Sequence, residues 1–406
     1  MTQPEAETPA PVARDTVPKQ APPAWLVVLL AVSCGLTVAN LYYAQPLLNE
    51  LRTTFGVGEA AAGGVVTATQ IGYAAGMLLI VPLGDRVENR SLVSLLLAIA
   101  CAGLVATGLA PQFSVLLIAS LIAGSTSVVV QILIPLTADL SPDAVRGRIV
   151  GRVMSGLLFG ILLSRVAASL LAEVTTWRVV FLISAGLMAI LAVALRFSLP
   201  RRAPKTSVHY GELLRSTLRL ARDHPALRRR ALYQAALYSV FSAFWTTIAF
   251  VLTSAPFHYS QLGVGLFALV GAAGAAIAPL AGRWADHGHG RIATGASFLL
   301  CAAAFAVGGF GAHSVIALAV AAIALDMAVQ TTMVSGQHVI YQLDPNARAR
   351  VNSIYLATFF VGGAIGSEVG SVLYHAGGWT AVSILGAVIP LIALAWWTTE
   401  RRSVDS

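Results

Sequence analysis

The chain has 406 residues, 57% of them hydrophobic and only 11% charged, with a formal net charge of +8. Soluble domains carry about 25% charged residues, so this composition excludes a set of water-soluble domains and predicts an all-α integral membrane protein. The 26 basic residues sit in the gaps between apolar runs rather than on one soluble module, which excludes a nucleic-acid footprint.

Residues 1–23 are Pro-rich and mixed in charge and predict a disordered tail; they lack the apolar core and cleavage site of a signal peptide. A bilayer core about 30 Å thick takes about 20 apolar residues in a helix. Such runs fall at 24–45, 61–83, 91–110, 114–138, 149–171 and 177–198, and again at 231–253, 263–284, 291–310, 314–341, 351–374 and 379–397. Twelve transmembrane helices are therefore expected, in bundles at 24–198 and 231–398, with a linker at 199–230 and a short tail at 399–406. In the linker, Leu213, Leu214, Leu218, Leu220 and Leu227 alternate with Arg215, Arg219, Arg222 and Arg228 to Arg230. That pattern predicts an amphipathic helix on an anionic leaflet, a solvated linker being the plain alternative. Cys34, Cys101 and Cys301 lie far apart inside apolar runs and read as buried hydrophobes, with no metal site and no disulfide framework.

With the N-terminus inside, 23 of the 26 basic residues fall in inside segments, only Arg52 and Arg178 fall outside, and Arg165 lies within a span. The asymmetry places both termini in the cytoplasm. The halves also repeat. Gly160, Trp177, Arg146 and Arg148 recur as Gly362, Trp379, Arg348 and Arg350, each 202 positions on, while Asp85 and Asp286 are 201 apart and Pro142 and Pro345 are 203 apart. Six helices per half relate the copies by an axis along the membrane normal, which favours a solute site near the midplane between two rocking bundles.

The loop from Leu83 through Asp85, Arg86 and Glu88 to Arg90, with a degenerate copy from Gly282 to Asp286, resembles the signature of the major facilitator superfamily. The stretches from Asn40 to Leu48, Thr69 to Ala74 and Leu343 to Ser353 are similar to a bacterial subgroup of presumed drug or metabolite exporters. The resemblance covers residues 24–400 and implies two pseudo-symmetric six-helix bundles, a monomer in the inner membrane, and a cavity lined by helices 1, 4, 7 and 10. It implies a cytoplasmic gate at Asp85, Arg86, Arg90, Asp286, Arg146, Arg148, Arg348 and Arg350, in which Asp85 locks the halves and releases them. Val81 and Glu88 stand where the signature has glycines, Ser120 where exporters carry an arginine, and Ile161, Ser164 and Arg165 depart from their helix 5 pattern, although Gly156 and Gly160 keep its glycine spacing.

Asp326 lies near the middle of helix 10, where an ionisable group is costly unless protonated, paired or facing water. It shares a helical face with Gln330, Met333 and Gln337 and is the first candidate proton carrier; a structural hydrogen bond is the alternative. Glu368 is the second candidate, with Arg165 beside it in the repeat. A direct Arg165–Glu368 pair, snorkelling of Arg165 to the outer edge, and a local pair with Glu173 all remain open from the sequence. Further cavity candidates are Asn40, Tyr42 and Tyr43 on helix 1, Ser127 and Gln131 on helix 4, and Gln234, Tyr238, Phe241 and Trp245 on helix 7. Aromatic faces with sparse polar groups suit amphipathic solutes, although packing explains such faces as well.

The expected function is a proton-coupled exporter of small amphipathic molecules or drugs. The alternative is a symporter or facilitator for a sugar, organic acid or other metabolite, and a non-transporting receptor or scaffold has no sensory domain to support it. No Gly-rich phosphate loop, paired-His metal site or nucleophile elbow is present, so neither an enzyme nor a cofactor is expected.

Overall fold

Proline breaks shape the first helices. Pro46 has no amide to close a turn onto Tyr42, and helix 1 (Ala24–Phe55) bends through a turn at 40–43. Pro82 breaks helix 2 (Glu59–Arg86) in the same way, leaving a short final segment Leu83–Arg86. Helix 4 (Phe113–Leu140) loosens at 127–128, where the hydroxyls of Ser125, Thr126 and Ser127 donate back to the carbonyls of Ile122 and Ala123.

The computed structural model describes residues 21–201, 209–275, 277–344 and 347–400. Most of the expected N-terminal tail, linker residues 202–208, Pro345 and the tail after Glu400 lie outside the described residues. No strand occurs among the described residues. Helix 3 is Asn89–Gly108, helix 5 Arg146–Val174, helix 6 Trp177–Ser198, helix 7 Pro225–Thr253, helix 9 Gly290–Gly309 and helix 10 Val315–Leu343. Helix 8 is split into Gln261–Ala275 and Ala278–Asp286. The segment Arg348–Thr398 holds helices 11 and 12, separated by non-helical Gly377 and Gly378. Gly378 has φ +62°, which a side-chain-bearing residue resists. Ten described segments are long and apolar enough to cross a membrane; dividing the last at Gly377 and Gly378 and adding the two-part helix 8 brings the helices to twelve. A linker helix, Tyr210–Asp223, precedes helix 7, whose first turns absorb Arg228 to Arg230.

The two bundles pack alike. Helix 1 lies on helix 5 as helix 7 lies on helix 11; helix 2 on 4 as 8 on 10; helix 3 on 6 as 9 on 12. Two repeat glycines sit at matched close approaches. A Cβ on Gly160 would run into the Gly35 backbone of helix 1, and one on Gly362 into the Ala235 backbone of helix 7. Small residues at matched positions let backbones meet where no hydrophobic force drives helices together in lipid. Trp177 and Trp379 both open the last helix of their bundle, and their indoles donate to Thr54 Oγ1 and the Gly308 carbonyl.

Between bundles, helix 2 packs on helix 11 and helix 5 on helix 8. The start of helix 1, the end of helix 12 and the linker helix lie at one end of the molecule, called here the linker face; the other end is the far face. A lateral apolar groove of about 540 Å³ runs between helices 1 and 5, from Arg152 past Gly156 and Gly160 to Tyr43. All of its lining comes from helices 1 and 5 of the first bundle.

Candidate functional site

Helix 5 carries Arg165 nine residues short of its far end, roughly 14 Å at 1.5 Å per residue, too deep to reach the membrane edge. The side chain does not snorkel; it turns into the protein and is only 6% exposed. Its Nε donates to Gln45 Oε1 at 2.9 Å, just beyond the bend in helix 1. The guanidinium carbon lies 5.0 Å from the centre of the Tyr42 ring and 4.6 Å from that of Trp245 on helix 7. Nη2 has no partner. Neither expected pair of Arg165 forms. Glu173, eight residues or about 12 Å further along the same helix, instead accepts from the Leu262 amide at 3.0 Å, and Glu368 of helix 11 accepts from Thr67 Oγ1 at 3.1 Å.

Asp326 of helix 10 stands on the other side of Trp245. A Cβ on Gly271 would come within 2.6 Å of Trp245 Cζ2 and 2.8 Å of Asp326 Oδ2, so the two side chains meet over that glycine. Asp326 as a whole is half-buried; its carboxyl faces the Trp245 indole N–H, yet neither the solvent-sealed Oδ2 nor Nε1 closes a hydrogen bond of good geometry. Asp326 and Arg165 are near enough to feel each other's charge, yet no ion pair joins them among the described residues. Arginine, carboxylate and indole therefore form one buried group between the bundles, with three polar atoms unsatisfied. Leaving such atoms unpaired is costly.

The aromatic face of helix 7 continues this group. Tyr238 stacks on Phe359 at 3.6 Å between ring centres and on Phe241 at 5.2 Å, with Phe360 at 5.5 Å. Gln234, deeper toward the linker face, donates to the Val329 carbonyl at 3.4 Å and leaves Oε1 unpaired. Gln131 donates to Tyr73 at 3.2 Å, and Gln337 to Asn352 at 3.3 Å; Gln330 and Met333 are half-buried on helix 10. Other candidates point elsewhere. Asn40 accepts from Ser184 of helix 6 at 2.7 Å, Tyr43 lines the lateral groove, and Ser127 bonds its own helix. Gln45 and helix 2's Gln70, which donates to Ser242 at 3.0 Å, were not among the residues singled out from the sequence. Both stand in the segments that carry the family resemblance, which is the signal that could have found them.

Direct hydrogen bonds between the bundles, among the described residues, fall from mid-depth to the far face. They include Gln70–Ser242, Thr67–Glu368, Ser367 to the Gly63 carbonyl, Gln261 to the Pro46 carbonyl and Leu262–Glu173. At the far end Glu59 accepts from Arg52 at 2.7 Å and meets His375 of helix 11 at 3.0 Å. At the linker face the expected gate residues stay within their own bundles. The side chains of Asp85, Arg86 and Arg148 make no hydrogen bond or ion pair among the described residues, and Arg90 leaves Nε unpaired. Arg146 bonds Asp143 and the Ala138 carbonyl, Arg348 the Tyr341 carbonyl, and Asp286 meets His338 at 3.4 Å. The linker helix touches both sides: Tyr210 donates to the Leu79 carbonyl of helix 2, and its Ser216 accepts from Arg350 of helix 11 at 2.8 Å. The bundles are thus bonded to each other from mid-depth to the far face, while at the linker face the expected gate residues are not joined across them among the described residues.

The chain is 41% identical over 378 residues to an uncharacterized transporter, YgaY, of Escherichia coli O157:H7, covering 93% of this chain and 96% of that protein. It is 31% identical to a probable transporter of Streptomyces coelicolor, SCO4007, covering 99% and 95%. Among solved structures, the nucleoside transporter NupG (TM-score 0.75, 15% identity, 92% and 99% covered) shares the fold. So does a bacterial homologue of the lysosomal transporter Spinster in an inward-facing state (TM-score 0.72, 16% identity, 92% and 96% covered). The sequence profile of the Major Facilitator Superfamily matches residues 27–296 and 231–406, and the chain belongs to that family of multi-pass membrane transporters.

Proposed function

We propose that the protein is a proton-coupled secondary transporter of small amphipathic solutes, working as a monomer by alternating access in the bacterial inner membrane. The linker face, which gathers the basic residues, is the cytoplasmic one, so the structure described is inward-facing. Asp326 carries the proton. The observation behind this is its sealed, unpartnered Oδ2 beside Arg165 and Trp245, at the depth where a carboxylate needs a proton or a partner. Glu368, held by Thr67 in the far-face latch, is the second proton-coupling candidate.

Purified protein in liposomes with an imposed pH gradient tests this reading. Gradient-driven solute flux is expected in the wild type and in Glu368→Gln, and Asp326→Asn is expected to retain exchange of solute without coupling. Transport indifferent to the gradient, or coupled transport surviving in Asp326→Asn, would overturn it.

Export in exchange for entering protons is the direction suggested by the likeness to presumed exporters. It requires solute and proton to compete for one site. Co-transport is the second reading, and one observation favours it: the buried cation Arg165 has no counter-charge in contact.

A further inference from the structure

Arginine stays charged in a protein, and a charge in the hydrocarbon core is retained where it faces something that matches it. Within the protein Arg165 is offered one neutral amide oxygen, from Gln45, and the faces of Tyr42 and Trp245. Nη2 is left over. The indole N–H of Trp245, whose ring lies under the same guanidinium, faces the Asp326 carboxyl but closes no hydrogen bond of good geometry. Two buried N–H donors, one of them charged, thus converge where the only anionic group at hand among the described residues is Asp326, which gives up its charge when it takes a proton. A carboxylate, with two oxygens and about four lone-pair sites, is the group best matched to such a pair.

We propose that the solute carries a carboxylate on an aromatic or apolar body, its oxygens accepting from Arg165 Nη2 and Trp245 Nε1 while its body lies against Tyr42, Tyr238 and Phe241. The inference rests on the proton-coupled reading above and narrows it to a substrate class. A cationic amphipath is disfavoured, since burying it beside Arg165 sets like charges together.

The same geometry fixes how proton and solute combine. Asp326 is the internal anion nearest these donors. Facing it are Arg165 from helix 5, Trp245 from helix 7 and Tyr42 from helix 1, while helix 8 approaches it with Gly271 and Gly274. An ionised Asp326 holds the guanidinium's field and repels a second carboxylate; a protonated one does neither. The acid therefore binds together with a proton, and the pair crosses with Arg165 as its fixed counter-ion.

The test is binding to the purified full-length protein of phenylacetate, indole-3-acetate and octanoate, against phenylacetamide, indole-3-acetamide and tetraphenylphosphonium, at pH 6 and pH 8. At least one acid is expected to bind at least tenfold more tightly than its uncharged or cationic counterparts, and more tightly at pH 6. Arg165→Gln is expected to erase the preference, Arg165→Lys to weaken it severalfold because the planar fork is lost, and Asp326→Asn to keep it without the pH dependence. Failure of all three acids to bind overturns the proposal, as does equal binding of the amides, tighter binding of the phosphonium, or acid binding that weakens at pH 6. These outcomes are read on the wild type and hold even if the Arg165 variants misfold. The flux assay keeps the two readings apart. A neutral solute whose coupled transport needs Asp326 leaves the proton reading standing and sinks the carboxylate. Acid binding through Arg165 alongside coupling that survives Asp326→Asn supports the carboxylate and sinks Asp326 as carrier.

Discussion

The guanidinium of Arg165 and the indole ring of Trp245 lie 4.6 Å apart across the boundary between the two bundles, so one cation–π contact joins helix 5 to helix 7. Desolvated contacts of this kind contribute about 2 kcal/mol. Trp245→Leu is therefore expected to lower unfolding stability by about that amount, and Trp245→Phe, which keeps a ring face, by less. Thermal or denaturant unfolding of the purified variants measures this, and equal stability of Trp245→Leu and wild type would dismiss the contact.

The far-face latch sets a conformational balance. Glu59 holds both Arg52, from its own bundle, and His375, from the other, at a partly exposed site. Pairs of this kind contribute about 0.2–1 kcal/mol. Glu59→Gln should raise the outward-open fraction up to about fivefold. Spin labels at Val57 and Tyr259 on the far face would report it as growth of a longer-distance population, and an unchanged distance distribution would count against the latch.

Close approach of helices predicts a sharp contrast among glycines. A Cβ at Gly160 or Gly362 strikes a neighbouring backbone, whereas Gly186 of helix 6 has nothing within 4 Å of that position. Alanine at either of the first two should cost about 1–3 kcal/mol, while Gly186→Ala should be neutral or stabilising by about 0.4–1 kcal/mol. Melting temperatures in one detergent settle the order.

The linker helix turns Arg215, Arg219 and Arg222 outward, while Thr217 is buried and Arg350 holds Ser216. Each arginine near an anionic surface is worth about 1 kcal/mol. Replacing all three with glutamine is expected to reduce the advantage of phosphatidylglycerol over phosphatidylcholine liposomes in transport rate. A variant that keeps the full lipid dependence would assign that dependence to another surface.

Much of this was legible in the chain. Apolar runs, loop arginines and the 202-residue offset gave spans and symmetry, because lipid forces each crossing to satisfy its own backbone. The ends were less legible: helix 1 runs to Phe55 past Pro46, and helix 7 begins at Pro225, since helical hydrogen bonding continues beyond the hydrophobic window. Asp326 was conspicuous because charge is rare at mid-span. The inward turn of Arg165 was not readable, because its direction depends on Gln45 and Trp245 arriving from other helices. Periodicity reports which face a residue occupies, not which neighbour completes it.

The uneven distribution of bonds between the bundles bears on turnover. Each hydrogen bond from mid-depth to the far face contributes a net 0.5–1.5 kcal/mol or so, and opening that side gives several of them up at once. A cyclic machine stalls unless its end states are nearly isoenergetic. If the gate expected at Asp85, Arg86 and Arg148 forms in the other end state, these side chains are the interaction that offsets the loss of the latch. Strengthening either end alone would leave a sturdier protein that cycles more slowly.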